Sequence, residues 1–347
     1  MENKENSLPR VTFYYRKSRA VGNYSVEFIF KDVANRLNKY IAAKAAVSFY
    51  ESKGLLKRIY NSVEAVFRQG DVNHITGDVN FIGILLQKRK TIQTILDCGH
   101  LESSKGFKHA VIKFFWLYLP VKRCRYVTAI SSATKNEILS YVSCDPDKIV
   151  IVPVAISEKF KKFDKPFNKQ NTRILQIGTA PNKNILRLIE AVKGLSCTLV
   201  IIGKHQAVYE EKMKEYRIPY SYSWGLSDDE MMKQYQQADI IALASTYEGF
   251  GMPILEGQAV GRPVLTSKLS SMPEVAGDAA CLVDPFDVSA IRMGLNKIIE
   301  DDTYRNKIIE RGFENVKKFD PQKIAMSYYD LYMKTLNFKS CAESQAS

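Results

Sequence analysis

Residues 244–266 read ASTYEGFGMPILEGQAVGRPVLT. With the preceding IIAL (240–243), the chain passes from an apolar run to a glycine-punctuated turn and then to a helical pattern. A short apolar run bounded by turn residues reads as a buried strand. Gly249 and Gly251 let the chain turn tightly and let its backbone approach a ligand. Pro253 is expected at the first helical position, where its missing N–H has no helical partner anyway. Strand, glycine turn and helix in that order make one unit of a parallel α/β sheet.

The same alternation extends in both directions. Downstream of residue 172, strands are expected at 174–177, 198–202, 240–244, 263–266 and 281–283. Helices are expected at 184–193, 208–216, 228–237, 253–260, 288–300, 303–317 and 321–336. Upstream, strands are expected at 11–15, 47–50, 72–75, 92–97, 126–130 and 149–152, with helices at 25–39, 55–69, 78–88, 107–119 and 133–142. Strands alternating with helices imply parallel sheets covered on both faces. The polar, proline-interrupted stretch 159–171 (KFKKFDKPFNKQN) is the best linker. The expected organisation is a domain over 1–160, a linker over 161–171, a second domain over 172–320, a C-terminal helix over 321–338 and a disordered tail over 339–347.

Composition narrows the class. With 347 residues, 46% of them hydrophobic and 25% charged, the chain is an ordinary globular protein of about two domains. No run of about 18 apolar residues is present, so no transmembrane helix is expected. The polar opening MENKENSLPR lacks the apolar core of a secretory signal. The six cysteines show no CxxC spacing, which suits reduced thiols better than zinc or a disulfide framework. A cytoplasmic setting follows, with an option at the inner face of a membrane. The net charge of +13 is uneven. Over residues 1–170 Lys and Arg outnumber Asp and Glu by 29 to 15, whereas the remainder holds 21 bases and 22 acids. A basic half suits an anionic partner, either a membrane surface, nucleic acid or a phosphorylated substrate, or it serves solubility alone.

Ligands of parallel sheets bind beyond the carboxyl ends of the strands. The turn before 253–260 lies at such an end, and a helix start there suits a diphosphate. Glu248 precedes the helix and Glu256 lies about one turn into it. Both can face the same strand-end cleft. An ionised Glu beside a helix N-terminus accepts hydrogen bonds from hydroxyls. Two such acceptors around an anion site suit a nucleotide sugar; either Glu alone would read as a surface residue.

EGFGMPILEGQAVGRPVLTS followed by MPEVAGDAACLVDPFD resembles the E-x7-E signature of retaining glycosyltransferases of the GT-B fold, family 4, also described as glycosyl transferases group 1. ILQIGTAPNKNILRLIEAV, LVIIGK and WGLSDDEMMKQYQQADIIALAS continue the likeness in order, densely over residues 172–290. Looser matches are RKSRAVGNYSVE, HITGDVNF, TILDCGHLE and VTAISSATKNEI. The resemblance implies an α/β protein of two Rossmann-like domains facing a central cleft, with the last helix crossing back to the first domain. It implies metal-independent transfer of a sugar from a nucleotide-diphosphate donor, UDP- or GDP-linked, to a glycan or lipid-linked acceptor, as in cell-surface polysaccharide or lipopolysaccharide synthesis. No cofactor is implied.

Residue by residue, Glu256 matches the Glu that binds the ribose hydroxyls and Glu248 the one that contacts the donor sugar. Gly249, Phe250 and Gly251 supply backbone N–H groups, and Lys183 matches the base that holds the diphosphate. Thr179 stands after Gly178 where many members carry Arg, so a further cation is sought. Lys204 is the candidate, or else a solvated loop lysine. On the acceptor side, Gly22 and Asn23 follow the first strand, and Asp97 and His100 follow the fourth. His100 could bond the donor sugar, although Leu96 stands where the family often has His. His74 reads as a packed imidazole. The aromatic and basic stretch 107–125 is either an interfacial membrane segment or a buried helix beside a basic loop.

Three patterns are decoys. Asp145-Pro146-Asp147 reads as a turn rather than a metal ligand, the acids 228–230 begin a helix, and GxGxxG and Walker fingerprints are absent. Rival readings are a GT-B relative performing epimerisation or phosphorolysis of nucleotide sugars, a basic nucleic-acid-binding protein, and a silent sugar-nucleotide-binding module.

Overall fold

A computed structural model describes residues 8–17, 25–52, 54–102, 106, 110, 111 and 113–344. The chain forms two units, Met1–Ala155 with Pro321–Ser347, and Ile156–Asp320.

The first unit holds strands β1 (Arg10–Tyr15), β2 (Ala42–Val47), β3 (Val72–Ile75), β4 (Thr91–Ile95), β5 (Tyr126–Ala129) and β6 (Ile149–Ile151). They order as β2-β1-β3-β4-β5-β6, every neighbour parallel. Its helices are α1 (Ser25–Arg36), α2 (Leu55–Val66), α3 (Gly99–Glu102), α4 (Leu119–Arg123) and α5 (Ser132–Tyr141). Central strands such as Val72–Ile75 are buried throughout, as strands covered on both faces must be.

Three sequence expectations shift here. The second strand was expected at 47–50 but lies at Ala42–Val47, an edge strand of small and mostly exposed residues (AAKAAV). An edge strand needs no apolar run, so the run 47–50 marks only its end. The helix expected at 78–88 is instead two short 3-10 turns, Asn80–Ile84 and Lys88–Lys90. Val79, Ile82 and Leu86 are buried, so their spacing reports packing rather than a regular helix. The helix expected at 107–119 is a π-helical turn, Lys113–Tyr118, followed by α4; residues 107–109 and 112 lie outside the described residues.

The second unit holds β7 (Thr172–Ile177), β8 (Cys197–Ile202), β9 (Tyr220–Ser223), β10 (Ile240–Leu243), β11 (Val264–Ser267) and β12 (Cys281–Val283). They order as β12-β11-β10-β7-β8-β9, again all parallel. Its helices are α6 (Ile185–Val192), α7 (Ala207–Glu215), α8 (Asp228–Gln237), α9 (Met252–Val260), α10 (Met272–Ala276), α11 (Val288–Glu300) and α12 (Asp302–Val316). β9 (YSYS) has no aliphatic residue and escaped the sequence pattern. α8 starts with a capping box between Ser227 and Glu230. Pro253 is the second helical residue of α9, not the first.

The stretch expected as a linker is bound to this unit. Asp239, 3% exposed, pairs with Lys165 and accepts from the backbone N–H of Asn168 (3.1 Å) and Arg173 (2.8 Å). Arg262 donates to the Phe163 carbonyl (2.8 Å), and the Arg305 guanidinium stacks 4.0 Å from the Phe167 ring. A buried carboxylate needs such partners, so this segment is tethered rather than free.

The last helix, α13 (Pro321–Ser344), belongs to the first unit. It runs past Lys339, where a disordered tail was expected; KSCAES contains no Gly or Pro to stop it. Ile324, Ala325, Tyr328, Leu331 and Tyr332 pack with Val11, Phe13, Phe30 and Leu37 in one core.

Candidate functional site

β7 and β10 are parallel neighbours, so their carboxyl-end loops, 178–184 and 244–251, lie side by side. Hydrogen bonds stitch the two loops together. Thr246 N–H donates to the Asn182 carbonyl (2.8 Å), and the Asn182 amide donates to the Tyr247 carbonyl (2.9 Å). The Asn184 amide donates to the carbonyls of Ala244 (2.9 Å) and Pro285 (2.6 Å). Asn184 has a left-handed backbone (φ 58°), which Asn tolerates better than most residues.

Lys183, held between these two asparagines, donates from Nζ to Oε1 of Glu248 at 2.6 Å. The Ser245 hydroxyl donates to the same oxygen at 2.7 Å. Both side chains of the pair are mostly buried. The hydroxyls of Ser270 and Ser271 lie 2.7 and 2.8 Å from the Glu248 carbonyl oxygen, fixing its backbone as well. Gly251 is left-handed (φ 99°) at the mouth of α9. The Phe250 ring is buried against Phe319, so only its backbone is available to a ligand.

Glu256, one turn into α9, takes a hydrogen bond from the buried hydroxyl of Tyr235 on α8. Burial raises its carboxyl to about 7, against the lowering effects of the Tyr235 hydroxyl and the Lys183 charge. The sequence reading had Glu256 ionised; desolvation outweighs the helix N-terminus here. At neutral pH the carboxyl is divided between its two forms.

Gly178 (φ 85°) and Lys183 share one groove, since a Cβ on the glycine would lie 2.7 Å from Lys183 Cε. Thr179 does not project toward an anion. It is buried, its hydroxyl donates to the Lys204 carbonyl (2.9 Å), and it fills the space left by Gly203. It holds two loops together in the position where an Arg was sought. Lys204 itself is exposed.

These features define a mostly buried cation beside two acidic side chains at adjacent strand ends. Residues 157–315 match the family described as glycosyl transferases group 1. This segment is similar to the group 1 glycosyl transferases. An α-(1→4)-mannosyltransferase of Mycolicibacterium hassiacum is 28% identical over 221 residues, 60% of this chain and 53% of that protein. The O-antigen chain mannosyltransferase B of Escherichia coli is 28% identical over 230 residues, 58% of this chain and 59% of that protein. The chain thus spans somewhat over half the length of these relatives. The Anabaena protein HepE, solved in complex with UDP-glucose, superposes with TM-score 0.74 at 14% identity over 94% of this chain and 100% of its own. The fold is GT-B.

Outside residues 157–315 the expected residues are less engaged. Asp97 follows β4 as expected, but its carboxylate accepts from the Gly99 N–H (3.0 Å) and starts α3. His100 lies on α3. Gly22 and Asn23 lie outside the described residues. His74 is the packed imidazole the pattern predicts, bonded at Nδ1 to Tyr332 (2.7 Å) and at Nε2 to Thr94 (2.9 Å). Asp145 accepts from the Asp147 N–H (2.9 Å), closing a turn.

Sequence reasoning missed Asn182, Asn184, Ser245 and Tyr235. The two asparagines flanking Lys183 in PNKN were a legible turn signal. Tyr235 was not, because a tyrosine in an ordinary helix carries no mark of its partner.

Proposed function

We propose that the protein transfers a hexose, mannose being the leading candidate, from a nucleotide-diphosphate donor to a glycan or lipid-linked acceptor with retention of configuration. The observation that carries this is the Lys183–Glu248 ion pair at adjacent strand ends, with Glu256 within reach of the same charge. The mannosyltransferase names of the two relatives support the sugar and the glycan context.

In the resting site Lys183 and Glu248 satisfy each other. An incoming diphosphate offers Lys183 a stronger anion, and its ammonium turns to the phosphates. Glu248, still held by Ser245, is then free to accept hydroxyls of the sugar. Glu256 in its ionised form accepts the two ribose hydroxyls, with Tyr235 fixing its rotamer.

The glycosidic bond breaks with oxocarbenium character as the diphosphate leaves. Stabilising that departing charge is the chief demand, and losing one good donor to it costs about 2.7–4 kcal/mol. The acceptor hydroxyl attacks from the leaving-group side and gives its proton to the departing phosphate oxygen. No carboxylate nucleophile pair is then needed, and Lys183 supplies the cation without a resident metal.

Thermal stabilisation by UDP, GDP, ADP and CMP tests the donor. A nucleotide present at about 100 times its Kd stabilises by about 2.7 kcal/mol. Nucleotide-linked mannose is then supplied with and without a glycan acceptor, with and without EDTA. Transfer that needs the acceptor and survives EDTA is expected. Sugar phosphate or an epimerised donor as product, or no nucleotide binding, overturns the reading.

A further inference from the structure

The strand order β2-β1-β3-β4-β5-β6 reverses between β1 and β3. The chain leaves β1 for β2 on one side and returns on the other side of β1 as β3. Ligands of such sheets bind outside the carboxyl ends of the strands at that switch point. In the first unit the switch point is filled with charge. Arg16 follows β1, Asp78 follows β3, and Glu27 lies in the first turn of α1. Arg16 Nε donates to Glu27 Oε1 (2.8 Å), and Arg16 Nη1 donates to Asp78 Oδ2.

One guanidinium thus draws two acids together, and each acid keeps an oxygen in reserve. Glu27 is only 8% exposed, yet its Oε2 has no hydrogen-bond partner among the described residues. Leaving a buried acceptor unmet is costly, and native structures seldom do so without a reason. The Asp78 side chain is 35% exposed, and its Oδ1 takes no hydrogen bond among the described residues. Asp78 is the central residue of a tight turn in which the Val79 N–H donates to the Gly77 carbonyl (2.7 Å), and its φ is 57°. Three-residue turns of that hand are rare and strained. An ion pair built only to fasten the start of α1 would need one acid and would leave no buried oxygen unmet.

The cluster's chemistry selects its ligand. It holds one cation and two carboxylates, so it is net negative, although over residues 1–170 Lys and Arg outnumber Asp and Glu by 29 to 15. Lys17, the next residue, sets its ammonium over the Phe49 ring (5.7 Å). Arg16 is already engaged by both acids, so an anion meets repulsion here. Among the described residues no group of three His, Cys, Asp or Glu is placed to hold a metal ion. An ionised carboxylate only accepts hydrogen bonds, and what both acids lack is donors. We propose that Glu27 and Asp78 grip neighbouring hydroxyls of an uncharged sugar residue of the acceptor, and that the first unit rejects a uronic acid in that position. This rests on the glycan-acceptor reading and narrows it.

The test is binding to the full chain, without donor, of p-nitrophenyl glycosides of glucose, galactose and mannose and of the matching uronides, by calorimetry. At least one neutral glycoside should bind about tenfold or more tightly than its uronide. Asp78→Asn and Glu27→Gln keep an acceptor for Arg16 and remove one charge each. Each should weaken that neutral glycoside about tenfold and shrink its advantage over the uronide, with the thermal shift by nucleotides unchanged. A merely structural ion pair predicts a lowered Tm with the neutral-to-uronide ratio unmoved. The proposal is overturned by that result, by a wild type that binds no neutral glycoside, or by one that binds uronides as well as their neutral counterparts. A chain that binds no nucleotide would instead refute the proposed transfer and leave the glycoside result standing.

Discussion

The stem of Lys183 runs so close over Gly178 that any side chain there would displace it, a Cβ meeting Cε at 2.7 Å. Glycine at 178 thus sets the position of a cation five residues later. Gly178→Ala should move the ammonium and strain a backbone at φ 85°, costing about 1 kcal/mol of stability. Initial rates with the donor should fall about tenfold for Gly178→Ala and about a hundredfold or more for Lys183→Ala. Full activity of both variants would remove Lys183 from the chemistry.

The Glu256 carboxyl sits at about 7, above its ordinary 4.5. The folded state therefore binds this proton more tightly than the unfolded chain does. The group's contribution to stability is fully present below pH 4.5 and is lost as pH rises through 7, a change on the order of 3 kcal/mol. Urea unfolding at pH 5 and pH 8 should show this slope in the wild type, and Glu256→Gln should flatten it. Nucleotide affinity should run the opposite way, rising above pH 7 as the carboxylate forms.

Tyr235→Phe removes the hydroxyl that favours the ionised Glu256. The midpoint of nucleotide binding against pH should move upward. The donor KM should rise by about tenfold to a hundredfold, the equivalent of one hydrogen bond to a charged group, with kcat changed less. A fall in kcat at constant KM would contradict the assignment.

His74 is fully buried and bonded at both nitrogens, and burial lowers it to about 3 from 6.5. The unfolded chain takes up the proton first. Stability is therefore lost as pH falls from 6.5 toward 3, by about 4–5 kcal/mol in all. His74→Gln should reduce this acid sensitivity, seen as a smaller shift of the denaturation midpoint between pH 7 and pH 4.5.

Asp239→Ala leaves Lys165 and two backbone N–H groups without their buried carboxylate. A loss of about 3–5 kcal/mol is expected. Limited proteolysis should cut the variant within 159–171 and spare the wild type.

Much of the fold was legible because buried parallel strands declare themselves as short apolar runs. The failures lie where that rule does not apply. β2 and β9 are edge strands built from Ala, Lys, Ser and Tyr with a single Val, held by pairing rather than by an apolar run. The stretch 78–88 has helical spacing but is packed as 3-10 turns. At the site, Lys183, Glu248 and Glu256 could be named from the local pattern together with the family resemblance. The roles of Thr179, Ser245 and Tyr235 depend on contacts between segments far apart in sequence, which no local pattern encodes. Segment 159–171 misled for the same reason: its composition is that of a loop, and Asp239, which pins it, lies far along the chain.

The His74–Tyr332 bond joins residues 258 positions apart. The sheet of the first unit thus borrows its closing helix from beyond the second unit. On a ribosome, that sheet must wait with part of its core uncovered until α13 has emerged, whereas the inserted second unit has all its pieces earlier. Vectorial synthesis should therefore mature the second unit before the first, and nascent chains stalled before α13 should be the ones that chaperones hold.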